Sequence, residues 1–421
     1  MSEHQPLTIG LFGFGVVGEG IFHVLRQTPS LHATIKKICI KHPEKKRDAP
    51  ADLFTTDYEE LLNDPQINLI VELIDDAEEA YKIVTTAFTR GKSVISANKK
   101  LIAEHLPELI RLQEEHNVSF LYEAAVCGSI PVIRNLEEYF DNDLLQSISG
   151  IVNGSTNYIL TRLNEGLTYT EALLEAQQKG FAESNPSLDV EGFDAANKLT
   201  ILLAHAYGIV TEPGHFLRQG ITRLHAKDAA YASEKGLRIK LVAQARKLAD
   251  GKVAAFVLPQ FVRPDSQLFH VANEYNGVTI ESKLADKQFF SGKGAGRYPT
   301  SSAVISDISA FSYRYQYEYK KLKRPEKNAL THNFYLDVFV SFSAWTDVNK
   351  WDFEEVTEYH STAERQYIRG VIHADKLRSA SWFADRSVSV ILQPEALIEK
   401  ESRVAQSIKK VSLQLAGVTL S

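Results

Sequence analysis

Six residues, Gly13-Phe14-Gly15-Val16-Val17-Gly18, constrain this chain more than any other stretch. They stand between the apolar run LTIGLF (7–12) and the helical stretch EGIFHVLRQ. A short apolar run bounded by glycine reads as a buried strand. Each glycine of GxGxxG then has its own duty. The first allows a tight turn, the second lets a pyrophosphate approach the backbone, and the third lets helix and strand pack closely. The free amides of the helix N-terminus face the phosphates. Alone the pattern is weak, because glycine-rich turns are common. With a strand before it and a helix after it, it marks a dinucleotide site. On this reading Gly13, Phe14, Gly15, Val16, Val17 and Gly18 bind a cofactor.

The next residues keep up the alternation. ATIKKICI (33–40) reads as a second strand, DYEELLN as a short helix and INLIVELI (67–74) as a third strand. AEEAYKIVTTAFTRG is a helix, SVISAN a fourth strand, LIAEHLPELIRLQEEHN a helix, and VSFLYEAAV (118–126) a fifth strand. Alternation at these lengths predicts an α/β chain with a Rossmann-type doubly wound parallel sheet. An NAD site of this kind places an acid about 20 residues past the glycines. Here the second strand ends in Ile40-Lys41-His42-Pro43, followed by Lys45, Lys46 and Arg47. Lys41 and its basic neighbours suit a 2′-phosphate, which favours NADP over NAD. A solvated basic loop is the competing reading.

The 421 residues suffice for two or three domains. A net charge of -6 argues against a nucleic-acid partner. Two cysteines, Cys39 and Cys127, make no disulfide framework or zinc pattern and fit a reducing compartment. The N-terminus does not read as a signal peptide, and no apolar run approaches the ~18 residues of a spanning helix. The expectation is a soluble cytoplasmic protein with no membrane partner.

From Ser96-Ala97-Asn98-Lys99-Lys100 onward the sequence resembles the homoserine dehydrogenase family, which carries an ANK motif after the fourth strand. Glu123-Ala124-Ala125-Val126-Cys127-Gly128-Ser129-Ile130-Pro131 is similar to the family's EAAVAGGIP stretch. Asn153-Gly154-Ser155-Thr156-Asn157-Tyr158-Ile159-Leu160, the acidic run GFAESNPSLDVEGFDAANK (180–198) and Gly292-Lys293-Gly294-Ala295-Gly296 follow in the family's order. The likeness spans roughly residues 7 to 310, and five ordered motifs are far more specific than one glycine pattern. The chain departs from the family where Asp75 and Asp76 replace a Gly-Gly pair, and where Asn185-Pro186 replaces Asp-Pro.

The acidic run ends in FDAANKLTILLAHAYG, a helical pattern with Asp194 and Lys198 one turn apart on one side. That spacing alone suits an ordinary surface salt bridge. Glu183 and Asp189 precede it in a loop shaped by Gly180, Asn185, Pro186 and Gly192, and acids crowded there suit a cationic ligand such as an amino acid's ammonium. Glu191 reads as a helix-start acid. The resemblance supplies the ligand, because the family interconverts L-aspartate 4-semialdehyde and L-homoserine with a nicotinamide cofactor. It implies Lys99 and Lys198 beside the substrate carbonyl, Asp194 orienting Lys198, and Glu183 and Asp189 on the substrate ammonium. A lysine that exchanges protons easily needs a lowered pKa. The resemblance also implies a structural monovalent cation, usually sodium, at Glu123, Val126, Gly128 and Ile130. It brings Gly292, Gly294 and Gly296 back to the cofactor, with Lys99 close to both cofactor and substrate.

The expected division is a dinucleotide-binding domain over 1–130 and a second α/β catalytic and dimerisation domain over 131–314, whose end rejoins the first. A small C-terminal α+β module, possibly ACT-like, occupies 329–421. In that module FYLDVFVSFSAW, RQYIRGVIHADK and SVSVILQPEA read as strands, and VNKWDFEEVTEYH and LRSASWFAD as helices. A homodimer or higher homo-oligomer is expected. Two rival functions remain. One is an acylating semialdehyde dehydrogenase with Cys127 as its thiolate. The other is a nucleotide sensor without catalysis.

Overall fold

The computed structural model describes residues 6–142, 144–362, 365–400 and 403. Its first part alternates as the pattern requires: β1 (Leu7–Phe12), α1 (Val16–Gln27), β2 (Ala33–Cys39), β3 (Phe54–Thr55), α2 (Tyr58–Asn63), β4 (Leu69–Glu72) and α3 (Ala77–Thr89). Then come β5 (Ser93–Ser96), α4 (Lys99–His116) and β6 (Phe120–Leu121). All the strands pair in parallel, in the order β3-β2-β1-β4-β5-β6. That is the doubly wound Rossmann order, as expected. β4 and β5 are buried along their whole length, which explains their unbroken apolar character.

Two details differ from the sequence reading. β3 is a two-residue edge pairing too short to leave a pattern. The fifth strand pairs only over Phe120–Leu121, after which Glu123–Ala125 coils into a 3-10 turn. The turn forms because the Glu123 carboxylate accepts the free amides of Ile133 (2.8 Å) and Arg134 (2.9 Å). These belong to the first turn of α5 (Val132–Glu137).

The second part begins with β7 (Leu145–Ile151), α6 (Gly154–Asn164), α7 (Tyr169–Gln178), α8 (Ser187–Val190) and α9 (Phe193–Tyr207). It continues through β8 (Leu217–Arg218), α10 (Ala226–Glu234), β9 (Arg238–Lys247), β10 (Val253–Val262), β11 (Tyr275–Ser282), β12 (Asp286–Lys293), α11 (Arg297–Ser312) and α12 (Lys320–Lys323). The last elements are β13 (Phe334–Phe342), β14 (Phe353–Ser361), β15 (Gln366–His373), α13 (Ala374–Ser379), α14 (Ser381–Ala384) and β16 (Ser389–Glu399). The strands join in one mixed sheet, β12-β11-β7-β9-β10-β16-β13-β15-β14, with β8 beside β10. Among the described residues the C-terminal run is β-β-β-α-α-β, without the helix that follows the first strand in the β-α-β-β-α-β ferredoxin-like unit.

One segment there was misread. VNKWDFEEVTEYH is strand β14 after a 3-10 turn, not a helix. Register shifts at Phe353/Glu355 and Val356/Glu358 break its two-residue alternation and leave a spurious helical spacing. α9 packs against α4 of the first sheet and β9 and β10 of the second, so it lies between them. α11 returns to α1, where the Ser301 hydroxyl donates to the Val17 carbonyl at 3.2 Å. No helix among the described residues is long and apolar enough to cross a membrane.

Candidate active site

The glycine turn has the local geometry that its spacing requires. Gly13 sits at φ +91°, and a Cβ there would lie 2.9 Å from the Leu73 carbonyl oxygen. A Cβ on Gly18 would lie 2.4 Å from the Gly13 oxygen, so α1 can approach the strand only without a side chain. Around Gly15 nothing lies within 4 Å of such an atom, which leaves the backbone open to a phosphate. Val16 is exposed and Val17 half-buried. The Phe14 ring packs edge-on to Phe22 and Phe54. Lys41 is exposed, whereas Arg47 turns back to donate to the carbonyls of Lys45 and His42. Asp76 caps α3 by accepting the Glu79 amide at 3.0 Å, and Asp75 is exposed beside it.

At the carboxyl end of β4 the buried Glu72 accepts from the Ser96 hydroxyl (2.6 Å) and the Ile74 amide (2.7 Å). Burial pushes its pKa up to about 7. Ser96 in turn accepts the Asn98 amide at 3.0 Å. The Asn98 side chain caps α4 through the Leu101 amide (3.0 Å) and donates to the Ile74 carbonyl (3.1 Å). Lys99 is therefore placed by a chain of hydrogen bonds as the first residue of α4. A cation at a helix N-terminus is unfavourable unless an anion answers it.

Asp194 is that anion. Its Oδ1 is 3.0 Å from Lys99 Nζ, and its Oδ2 is 2.8 Å from Lys198 Nζ. The Lys198 ammonium also donates to the Val152 carbonyl at 2.6 Å. The Asp194 side chain is 5% exposed and that of Lys198 10%. This is not the surface salt bridge that one-turn spacing alone allows. Two ammonium groups hold the Asp194 carboxyl far below its ordinary range despite burial. Asp194 likewise raises the pKa of Lys99. The lowered pKa expected for a proton-exchanging lysine is not found at Lys99, because Asp194 outweighs desolvation.

The acids stand together because of Asn153. Its side-chain amide donates to Asp189 Oδ1 at 2.7 Å and to Asp194 Oδ2 at 2.8 Å. Its oxygen caps α6 by accepting the Thr156 amide at 2.8 Å. Glu183 is exposed, and its carbonyl rather than its carboxylate is engaged, by Gln177. Glu191 does not cap α9, whose N-cap is Gly192; its carboxylate accepts from Thr222 at 3.2 Å. Sequence reasoning overlooked Glu72, Ser96, Asn98 and Asn153 as site residues. Asn98 and Asn153 each stand one residue before a helix, and that N-cap signal could have raised them.

Past Glu123 the chain bends at Cys127 (φ 59°) and Gly128 (φ 50°). The Ile130 carbonyl accepts from Val132. The carbonyls of Val126 and Gly128 accept no hydrogen bond among the described residues. The second glycine loop locks onto this bend. The Ser129 amide and hydroxyl donate to the Lys293 carbonyl at 3.2 and 3.0 Å. A Cβ on Gly292 would lie 2.7 Å from Ser129 Oγ, and one on Gly294 would overlap the Asn276 side chain. Gly296, at φ +117°, starts α11. Cys127 is fully buried, and burial pushes its thiol up to about 12. Burial disfavours the thiolate that the acylating mechanism needs.

Comparison with known proteins identifies the family. Residues 13–123 match the family model described as homoserine dehydrogenase, NAD binding domain, and residues 131–309 match that of homoserine dehydrogenase. A homoserine dehydrogenase of Synechocystis sp. is 39% identical over 72% of this chain and 73% of its own length. One from Bacillus subtilis is 35% identical over 73% of each. The crystal structure of a homoserine dehydrogenase from Thiobacillus denitrificans aligns over 93% of this chain and 98% of its own, with TM-score 0.80 and 27% identity. A hyperthermophilic archaeal homoserine dehydrogenase in complex with NADPH aligns over 74% of this chain and 99% of its own, with TM-score 0.63 and 26% identity. The two matched models adjoin the site from both sides, and this chain belongs to the homoserine dehydrogenase family.

Proposed function

We propose that Lys99, Asp194 and Lys198 carry the family's reaction, the interconversion of L-aspartate 4-semialdehyde and L-homoserine, and that the preferred cofactor is NADP. One observation supports this most directly: two ammonium groups share one buried carboxylate, with Lys99 Nζ at 3.0 Å and Lys198 Nζ at 2.8 Å. Bound nicotinamide supplies or accepts the hydride. The chain's own part is to hold the substrate and answer charge on its oxygen. An ammonium has three N–H groups. Lys198 uses two, on Val152 and Asp194, and its third is available to the substrate oxygen. Lys99, kept charged by Asp194, stabilises negative charge developing on that oxygen. A proton passed from Lys198 to the oxygen leaves Asp194 still paired with Lys99, so the buried carboxylate is never bare. Asp189 and Glu183, on the loop before α9, receive the substrate ammonium. Exposed Lys41 and the lack of an acid at the end of β2 support a 2′-phosphate.

A monovalent cation is part of this reading. The unclaimed carbonyls of Val126 and Gly128, with Ile130 and the Glu123 carboxylate, are hard oxygen donors of the kind such an ion takes. The ion would be structural, bracing the bend. Free Cys39 and Cys127 support a cytosolic protein rather than a disulfide-bonded secreted one.

The test is turnover of L-homoserine with NADP and with NAD, read as nicotinamide absorbance. Wild-type enzyme should reduce NADP at lower concentration than NAD. Lys198→Ala should lower kcat roughly 100-fold or more with NADP affinity retained. An unchanged kcat would return Lys198 and Asp194 to a purely structural ion pair.

A further inference from the structure

The loop that carries Asp189 is poorly equipped to hold itself. α8 is four residues long, a single turn, and such a turn has little stability of its own. Asn153 holds its Asp189 carboxylate, and its backbone is held from outside by the segment 217–224. The Ile221 amide donates to the Val190 carbonyl at 2.7 Å. Thr222 donates to the Glu191 carboxylate at 3.2 Å. The Arg218 guanidinium donates to the Glu191 carbonyl and lies 3.6 Å over the Phe193 ring. Gly220 is pressed so close that a Cβ would lie 2.0 Å from the Val190 oxygen and 2.4 Å from Glu191 Cα.

The other side of the same segment is fastened to the sheet. Leu217 and Arg218 pair with Phe256 and Val257 of β10, and the Gln219 amide donates to the Val257 carbonyl at 2.9 Å. β10 meets β16 through one bridge, Gln260 with Leu392. Two residues along β16, Val390 pairs instead with the Gln219 side chain. Gln219 Nε2 donates to the Val390 carbonyl at 3.2 Å, and Oε1 accepts its amide at 3.3 Å. Gln219 is 2% exposed, so this side-chain amide substitutes for a strand in the sheet interior. Arg223 reaches further, donating to the carbonyls of Phe383 at 2.6 Å and Ala384 at 3.5 Å.

We propose that residues 217–224 form a strap that positions Asp189 for substrate, and that β16 and α14 hold the strap in place. Gln219, Gly220 and Arg223 are its positioning residues, and none of them touches the reacting atoms. The inference rests on the reading of Asp189 and Asp194 as substrate-site residues. It makes the C-terminal strands part of substrate recognition through backbone contacts alone.

The experiment uses the full chain with Gln219→Leu, Arg223→Ala, Asp189→Ala and the double variant Arg223→Ala/Asp189→Ala. It measures KM for L-homoserine, kcat, and NADP affinity by nicotinamide fluorescence. Gln219→Leu and Arg223→Ala should each raise KM for homoserine, roughly tenfold for the buried amide and less for the arginine, with NADP affinity within about twofold of wild type. A strap acting through Asp189 gives no further rise when Arg223→Ala is added to Asp189→Ala. Unchanged KM in both single variants, or a full additional rise in the double variant, overturns the strap. Should Gln219→Leu fail to fold, Arg223→Ala decides alone, since its hydrogen bonds run to the carbonyls of Phe383 and Ala384. An Asp189→Ala enzyme with normal KM overturns the substrate reading itself, which is a different failure.

Discussion

A buried carboxylate survives in the ionised state only where donors surround it. Asp194 has Lys99, Lys198 and Asn153, and its pKa is depressed. A depressed carboxylate stabilises the fold above its ordinary pKa and loses that contribution only as pH falls into the acid range. Glu72 is the opposite case. It has one hydroxyl and one amide for partners, no cation, and a pKa raised from 4.5 to about 7. The folded state then binds a proton that the unfolded state has already released. Stability should fall as pH rises through that window, by about 3 kcal/mol in all. Glu72→Gln does not titrate, so its thermal midpoint relative to wild type should climb between about pH 5 and pH 8. Parallel profiles for the two proteins would show that Glu72 is already charged at low pH. The spacing of Asp194 and Lys198 was legible in sequence, because one helical turn is a local fact. The role of Asn153 was not. Which acids its amide reaches depends on where α8 and α9 fold back over α6.

At the level of elements, helices and central strands followed their patterns, and the segments that bend did not. The end of the fifth strand, from Glu123 to Val126, reads as strand because it is small and apolar. It coils because Glu123 is drawn to the amides of Ile133 and Arg134, and because Gly128 must pass the second glycine loop. A Cβ on Gly128 would lie 2.5 Å from the Gly294 oxygen. A cation on the Val126 and Gly128 carbonyls would brace this bend. Exchanging sodium for choline at constant ionic strength should therefore lower the thermal midpoint by a few degrees and reduce turnover. If neither moves, the bend is held by its hydrogen bonds without an ion. β14 was mistaken for a helix for a related reason. Pairing with β15 sets its conformation, and two bulges conceal the alternation that would have revealed it.

Across the whole molecule, one large core joins the Rossmann sheet to α9 and the inner face of the second sheet. A second core lies under the C-terminal strands, and β10 contributes to both. Phe256 and Leu258 of β10 are covered there together with Phe334, Leu336 and Val338. Each large side chain bared to water costs about 1.5–3 kcal/mol. A chain ending at Lys327 should therefore unfold at a lower temperature and aggregate, while the full chain melts as a unit. Calorimetry of both checks this, and an unchanged midpoint would make the C-terminal strands an independent body.

The cofactor fold and the class of chemistry could be read from the linear chain. The fold rests on local pattern, namely glycine spacing and strand and helix periods, and the chemistry on the family resemblance that the ordered motifs carry. The folded molecule alone determined which donors quiet the crowded acids, how deeply Cys127 is buried, and how β16 connects to the loop before α9. Those outcomes depend on burial and on contacts between residues far apart in the chain, and a pairing at that range leaves no local period to read.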